Sequence, residues 1–277
     1  MLAVASAIGA WEFFRIARAC GLTPLEDVGI AVAGLIPLAV HAAFQGIQFP
    51  SLTLGAVVLV ATLGLTIWRR GVDGKSLGAA ASTVFGALYV GGMLSYGYAL
   101  RYHPYAFGDA AIRFGERHAA TDPTVKTLVV PSGALLLMLP LLTTWASDIG
   151  AYAVGRGIGR HQLIPTVSPG KTVEGAIGGL IAAIVVAWAF GNGVLRPAAQ
   201  LGFKWYPWGL ILFGALVSVA AQVGDLAESL FKREAGVKDS SRIIPGHGGM
   251  LDRLDSLFFV LPVSYLLTGW LLTWAPR

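Results

Sequence analysis

The chain has 277 residues, of which 55% are hydrophobic and only 13% are charged, and its mean hydropathy is +0.68. This composition excludes an ordinary soluble domain and predicts an integral membrane protein. The single cysteine, Cys20, excludes an intrachain disulfide and a cysteine-based metal cluster.

Apolar segments along the chain predict an all-α fold, a polytopic bundle of about eight membrane spans, because one span needs about 20 mostly apolar residues. A shorter stretch, 1–14, contains Glu12, and we expect it to belong to a span that begins upstream. Many segments are rich in Gly and Ala, which favours close packing of helices. The full-length candidate spans lie near residues 28–45, 52–68, 77–100, 127–147, 172–191, 208–228 and 254–274.

The chain divides at about residue 127. Residues 1–126 are predicted to form N-terminal transmembrane helices, and residues 127–277 a catalytic transmembrane region that holds every informative motif. The net charge of +5 matters less than its distribution, because cytoplasmic loops of membrane proteins are enriched in Lys and Arg. Most Lys and Arg residues lie in four segments that this rule places on the cytoplasmic side: 15–27, 69–76, 148–171 and 229–253.

Polar residues inside or at the edge of the predicted spans are the first functional candidates, since such groups usually face a cavity or a partner. Asp148 follows a long apolar run, and Asp252 and Asp255 share one face of the last helix. A plain helix-end aspartate remains an alternative for Asp148, and an N-cap remains one for Asp252. Intervals of three and four residues align a further polar face along helix 208–228, made of Ser218, Gln222, Asp225, Ser229 and Lys232.

The segment SPGKT, residues 168–172, precedes a predicted span. It resembles the end of a Walker A loop, but Pro165 stands where that motif requires a glycine, so we exclude a P-loop NTPase. A glycine turn at a helix N-terminus still offers free backbone N–H groups to a phosphate. Ser168, Lys171 and Thr172 are therefore candidate substrate-binding residues, and a capped helix start with a snorkelling lysine is the alternative.

Residues 229–256 form the most highly charged loop of the chain. Its cations are candidates for holding phosphates, namely Lys232, Arg233, Lys238 and Arg242. Backbone N–H groups of Gly248 and Gly249 are expected to converge on an anion. His247 is a candidate for a phosphate contact or a proton transfer, although a lone loop histidine is often only a polar surface residue.

Aspartates near the same predicted membrane face indicate a hard cation, Mg²⁺ or Mn²⁺, rather than zinc. Carboxylates, cations and glycine turns together are typical of phosphoryl or nucleotidyl transfer, where positioning and charge neutralisation supply most of the catalysis. The aspartates are Asp148, Asp225, Asp239, Asp252 and Asp255.

Residues 224–256, GDLAESLFKREAGVKDSSRIIPGHGGMLDRLDS, resemble the signature of the phosphatidate cytidylyltransferases, also called CDP-diacylglycerol synthases. WASDIGAYAVG, residues 145–155, and SPGKT, residues 168–172, resemble further family segments in the expected order. The resemblance covers residues 127–277 well and the first half by hydrophobic character alone. The positions that match are Ser229, Lys232-Arg233, Lys238-Asp239, Pro245-x-His247-Gly248-Gly249, Asp252-Arg253 and Asp255.

The resemblance implies transfer of CMP from CTP to phosphatidate in the bilayer, giving CDP-diacylglycerol and pyrophosphate in phospholipid biosynthesis. It implies Mg²⁺ or Mn²⁺ as cofactor and a multi-pass protein of the cell membrane with a cytoplasmic active site. We expect no nucleic-acid partner, and the Gly- and Ala-rich faces permit a homodimer. Family members usually begin with a full span before the segment AWEFFRIA, residues 10–17 here, so we expect that this chain lacks one helix.

These expectations assign roles to the candidate residues. The predicted catalytic residues are Asp225, Lys232, Lys238, Asp239, His247, Asp252 and Asp255. The predicted substrate-binding residues are Ser168, Lys171, Thr172, Ser229, Arg233, Gly248 and Gly249, and the predicted metal ligands are Asp148, Asp225, Asp252 and Asp255.

Two other functions compete with this interpretation. One is a CTP-dependent transferase that acts on another lipid phosphate or on a polyprenol. The other is an anion transporter with ion sites at Asp148 and Asp225, which is disfavoured because the charges cluster in loops and no inverted repeat is evident.

Overall fold

Long apolar helices make up most of the fold. The computed structural model describes residues 1–47, 51–72, 74–102, 123–196, 203–206, 208–241, 243 and 248–274. The first helices are α1 (Leu2–Ala19), α2 (Glu26–Phe44), α3 (Ser51–Arg70) and α4 (Ser76–Ala87), which continues through a π-helical turn (Leu88–Gly92) into α5 (Met93–Arg101). They are followed by α6 (Pro123–Ile158), α7 (Val173–Phe190) with a π-helical turn (Gly191–Leu195), α8 (Gly209–Glu234) and α9 (Leu251–Leu271).

Short strands form two antiparallel pairs. β1 (Gln162–Ile164) pairs with β2 (Ser168–Thr172) directly before α7. β3 (Phe203–Trp205) pairs with β4 (Leu272–Trp274), which directly follows α9. Each pair therefore lies next to the end of a long helix.

Seven helical stretches of the described chain are long and apolar enough to cross a membrane, and they correspond one by one to the seven predicted segments. The all-α polytopic fold class is thereby confirmed. Helix α1 has 18 residues and covers residues 2–14 of the predicted stretch, but its three charged residues, Glu12, Arg15 and Arg18, exclude it from this set. Its expected extension upstream and the missing preceding helix stay predictions. The seven stretches are Glu26–Phe44, Thr53–Arg70, Ser76–Arg101, Gly133–Ile158, Val173–Leu195, Gly209–Glu234 and Leu251–Leu271.

Residues Met1–Tyr98 and Asp225–Phe258 form one compact unit. Its core contains an aromatic cluster, because large rings bury much apolar area and pack well edge to face. The rings of Phe85 and Tyr89 stack with centroids 5.6 Å apart, and Phe13 meets Phe231 edge to face at 6.2 Å. Phe258 of α9 packs on Tyr89 with a centroid distance of 4.9 Å.

Residues Ala99–Gly224 and Phe259–Arg277 form a second compact unit. Glycines bring α6 and α7 together, since a Cβ atom at Gly179 would lie 2.7 Å from the carbonyl oxygen of Ser147. At Gly150 an added Cβ would lie 2.6 Å from the Cβ of Ala182. Small residues at helix contacts are the usual means of association in lipid, where no hydrophobic force acts between apolar helices. The predicted division of the chain at residue 127 is not tested by these units and stays a prediction.

The C-terminus of α8 determines where the charged loop begins. Gly236 has φ +68°, its N–H donates to the Arg233 carbonyl at 3.1 Å, and the Val237 N–H donates to the Lys232 carbonyl at 2.9 Å. This left-handed glycine is the common way to end a helix and reverse the chain. The helix therefore ends two residues after Lys232, and the chain turns there into the loop that contains Lys238.

Candidate active site

Lys232 lies at the centre of the charged residues of α8 and α9. Its Nζ atom donates to Glu228 Oε2 at 2.8 Å and to Asp252 Oδ1 at 2.7 Å. Glu228 is one helical turn before Lys232, so the two side chains share a face of α8. The Glu228 side chain is fully buried, and those of Lys232 and Asp252 are 14% and 13% exposed. At such depth the carboxylates need a cationic partner, and Lys232 serves both.

Asp252, in the first turn of α9, closes the loop that precedes it. Its Oδ2 atom accepts hydrogen bonds from Ser240 N at 3.0 Å, Ser240 Oγ at 2.8 Å and Gly249 N at 2.8 Å. Gly248 has φ +78°, and a Cβ atom there would lie 2.8 Å from Asp252 Oδ2. The anion that the Gly249 amide meets in this structure is therefore the Asp252 carboxylate, and the position of Gly248 requires a glycine.

Glu12 of α1 holds the same loop from the other side. This fully buried carboxylate accepts hydrogen bonds from Ser240 Oγ at 3.1 Å, Ser241 Oγ at 2.5 Å, Met250 N at 3.0 Å and Leu251 N at 2.6 Å. The last two donors are backbone N–H groups at the start of α9 that have no partner within the helix. Glu12 therefore acts as an N-cap that is supplied by a distant helix.

Asp225, Ser229 and Asp255 extend the cluster. Ser229 Oγ donates to Asp225 Oδ1 at 3.4 Å, as their spacing on one helix face predicts. Asp255 Oδ1 accepts a 2.5 Å hydrogen bond from Ser256 N. The Asp225 and Asp255 carboxylates are close enough to repel each other electrostatically, and Glu228 also lies within electrostatic reach of Asp255. The site thus gathers four carboxylates, counting Asp252, around one lysine.

The oxygen atoms of this cluster suit a hard cation better than a transition metal. Among the residues that the structure describes, no three or more His, Cys, Asp or Glu side chains form a ready metal cage. Mg²⁺ seldom requires one, because it is commonly held by one or two carboxylates together with substrate phosphates. Glu228 Oε1 is buried and accepts no hydrogen bond from any described residue. That oxygen and the mutually repelling carboxylates of Asp225 and Asp255 are of the kind that a divalent cation requires as ligands.

Other predicted residues of the charged loop lie at the surface of the protein. Arg233, Lys238 and Asp239 are exposed. Their side chains are therefore accessible to a ligand from the aqueous side. Of the remaining loop candidates, Arg242 and His247 lie outside the described residues.

The SPGKT segment belongs to the second compact unit. It forms β2, and Thr172 Oγ1 accepts a hydrogen bond from Gly175 N at 3.1 Å, so Thr172 is the N-cap of α7. Gln162 Nε2 donates to the Pro169 carbonyl at 3.1 Å and fixes the hairpin. Ser168 and Lys171 are half-buried, and Asp148 on α6 is exposed. The capped helix start is thus present, and the substrate-binding and metal-binding roles of these residues stay predictions.

Sequence reasoning missed three residues of the site: Glu12, Glu228 and Ser240. Two signals were available. Glu12 is an acid inside an apolar stretch, which usually indicates a specific partner. Glu228 lies four residues before Lys232, the spacing at which a Glu and a Lys on one helix pair.

The sequence was also compared with those of known proteins and protein families. A family model described as the cytidylyltransferase family matches residues 1–271. The chain belongs to this family. The phosphatidate cytidylyltransferase of Staphylococcus haemolyticus is 46% identical over 138 residues, which are 49% of this chain and 49% of that protein. The phosphatidate cytidylyltransferase of Haemophilus influenzae is 48% identical over 134 residues, which are 47% of this chain and 44% of that protein. The chain spans about half the length of these relatives, and the predicted family resemblance is confirmed.

Proposed function

We propose that this protein transfers CMP from CTP to phosphatidate, forming CDP-diacylglycerol and pyrophosphate. One observation carries the proposal. Ser229, Lys232, Asp252 and Asp255 of the signature segment belong to one cluster, in which Lys232 bridges Glu228 and Asp252 and the loop closes on Asp252 through Gly249. Relatives with 44–48% identity bear the name of this activity.

The chemistry needs few groups beyond charges. A non-bridging oxygen of the phosphatidate phosphate attacks the α-phosphorus of CTP, a new P–O bond forms, and the bond to pyrophosphate breaks. A phosphomonoester has a second pKa of about 6, so the nucleophile is already largely ionised at neutral pH. No general base is required, and the task of the protein is to hold two polyanions together.

The residues of this chain divide that task. Arg233 and Lys238 are exposed and bind phosphate oxygens, together with Ser229 of α8 and Gly248 of the loop, whereas the Gly249 amide holds the Asp252 carboxylate. One or two of the carboxylates of Asp225, Asp255 and Glu228 would hold Mg²⁺ or Mn²⁺ together with the substrate phosphates, and Asp252 and Asp239 are further predicted participants. When bound, the cation neutralises phosphate charge and orients the triphosphate. Lys232 keeps the acidic cluster from carrying its full negative charge toward an anionic substrate.

The remaining candidates concern the second unit and the setting of the enzyme. Ser168, Lys171 and Thr172 contribute a further phosphate-binding segment at the start of α7. The charged loop faces the cytoplasm of the cell, where CTP is available, because most Lys and Arg residues belong to that side. The acyl chains enter sideways from the bilayer between helices, and two copies of the chain associate as a homodimer through small-residue faces.

The test is an assay on detergent-purified protein with phosphatidate, Mg²⁺ and CTP labelled on the α-phosphate. We expect label in the lipid phase only when phosphatidate and metal are both present, and none after EDTA is added. CTP labelled on the γ-phosphate is the control, because a CTP-dependent lipid kinase transfers that label instead. Transfer of γ-label, or no lipid-bound label from protein that unfolds cooperatively, would refute the proposal.

A further inference from the structure

An apolar cavity of about 390 Å³ lies between α1, α4 and the last turns of α8, within one compact unit. Its volume falls in the range of about 300–1,000 Å³ that small-molecule pockets occupy. Apart from Cys20, Ser82 and Glu234, the side chains that line it are hydrocarbon or glycine. Such a lining cannot replace the hydration of a nucleotide or of a charged head group, and it suits a hydrocarbon chain.

On two of the helices that line the cavity, a cavity-lining residue is the direct chain neighbour of a residue of the charged cluster. On α8, Phe231 lines the cavity, whereas Lys232 points to Asp252. On α1, Phe13 lines the cavity, whereas Glu12 binds the start of α9. Consecutive residues of a helix point in different directions, so the same two helices present an apolar face to the cavity and a polar face to the site.

Aromatic rings join the two regions. Phe231 packs edge to face on Tyr89 with centroids 5.9 Å apart, and Tyr89 packs on Phe258 at 4.9 Å. Phe258 follows Asp255 by three residues on α9, which places both on neighbouring positions of one helix face. A continuous row of aromatic rings therefore connects the lining of the cavity with the helix face that contains Asp255.

The cavity opens at the surface of the unit. Phe85 and Leu22, which line it, are 48% and 40% exposed. The helices that surround it end on the side where the charged loop begins, since Cys20, Gly78 and Glu234 lie at the corresponding ends of α1, α4 and α8. The ends of membrane-spanning helices lie near the interfacial region of a bilayer, so a cavity at such ends is within reach of a lipid.

We propose that this cavity receives one acyl chain of the lipid phosphate substrate while the phosphate lies at the charged cluster. The inference rests on the proposed function. The two neighbouring sites identify the occupant, because an apolar slot next to a site for phosphates and cations fits a molecule that has both a hydrocarbon chain and a phosphate.

Cys20 supplies a direct probe, because it is the only cysteine of the chain and lines the cavity. Burial, with a contribution from the charge of Glu234, raises the pKa of its thiol, so labelling requires mildly alkaline buffer. The full chain in detergent micelles is treated with a maleimide, alone or with phosphatidate, with phosphatidylcholine of the same acyl chains, or with glycerol 3-phosphate. We expect phosphatidate to slow labelling several-fold at mole fractions where phosphatidylcholine does not, and glycerol 3-phosphate to have no effect.

A pair of substitutions tests the same cavity by kinetics. Ala81 is an exposed residue that lines the cavity, and Ala61 is an exposed residue of α3 that does not. Ala81→Phe fills the slot, so we expect KM for long-chain phosphatidate to rise roughly tenfold or more and KM for CTP to stay unchanged. The same substitution at position 61, Ala61→Phe, is expected to leave both values as they are.

The outcomes separate this inference from the proposed function. Protection of Cys20 by phosphatidate without any CMP transfer would support the cavity and refute the reaction. Normal CMP transfer with unprotected Cys20, or with an unchanged KM in Ala81→Phe, would overturn the cavity alone. Equal protection by both lipids would identify a slot for ordinary bilayer lipid and overturn the assignment to substrate.

Discussion

Glu12 shows how much of the site depends on a single residue outside the charged loop. Replacing it by alanine, Glu12→Ala, removes the acceptor for two hydroxyls and two backbone N–H groups inside the protein. We expect the free energy of unfolding to fall by about 2 kcal/mol or more, because buried donors without partners are costly. Thermal unfolding in detergent measures this, and faster amide hydrogen exchange at Met250 and Leu251 would locate the effect.

The matched control is Glu26→Ala. Glu26 pairs with Arg18 at 2.6 Å, but the two side chains are 23% and 52% exposed. Surface ion pairs contribute about 0–1 kcal/mol, so this variant is expected to unfold close to the wild-type temperature. Equal unfolding temperatures for Glu12→Ala and Glu26→Ala would show that the Glu12 cap does not stabilise the loop.

Lys232 allows stability and chemistry to be separated. Lys232→Met leaves buried carboxylates without their cation, which in comparable pairs costs about 3–5 kcal/mol. Adding Glu228→Gln removes one of those charges, so we expect the double variant to regain much of the lost stability. CMP transfer should stay low in both, because the double variant regains the net charge but still lacks the Lys232 ammonium group beside Asp252 and the Glu228 carboxylate. Recovery of transfer in the double variant would show that Lys232 is only structural.

The sequence predicted the polar members of this cluster better than their partners. Asp225, Ser229, Lys232, Asp252 and Asp255 were found because helical periodicity reports which residues share a face. Glu12 was not assigned, since its partners are 228–239 residues away and no local pattern encodes them. The contacts of Asp252 with Ser240 and Gly249 were not predicted either, because they depend on how the loop closes.

At the scale of elements, the contact between α6 and α7 tests the role of glycine. Gly179→Ala places a Cβ atom 2.7 Å from the Ser147 carbonyl oxygen, so the helices must separate. We expect the free energy of unfolding to fall by about 1–3 kcal/mol, which a lower unfolding temperature would show. At Gly157, also on α6, an added Cβ meets no atom within 4 Å. Gly157→Ala should leave stability unchanged or raise it slightly, because alanine favours helix. Destabilisation of the same size at both sites would exclude close packing as the cause.

Helices were predictable and strands were not. The seven spans follow from long apolar runs, a signal that many residues share. The strands of 3–5 residues carry too few residues for a periodic pattern, and β3 pairs with β4 far along the chain. The π-helical turns at Leu88–Gly92 and Gly191–Leu195 were missed for a similar reason, because they change hydrogen bonding without changing hydropathy.

At the scale of the whole molecule, the orientation in the membrane is the prediction to test. Lys75 and Gln45 are both exposed; Lys75 directly precedes α4, and Gln45 directly follows α2. In a Cys20→Ser background, a cysteine is introduced by Lys75→Cys or by Gln45→Cys, and intact cells are treated with a membrane-impermeant maleimide. The positive-inside rule predicts labelling of the second variant in intact cells and of the first only after permeabilisation. The reverse pattern would place the charged loop outside the cell.

The Glu12 cap has a consequence for how the protein is made. Its carboxylate is synthesised near the beginning of the chain, and its partners at residues 240, 241, 250 and 251 are synthesised near the end. Until the ribosome has passed those positions, α1 carries an acid whose permanent partners do not exist, and a polar group without partners is costly in or near lipid. The contact that shapes the loop before α9 can therefore form only after nearly the whole chain has been synthesised.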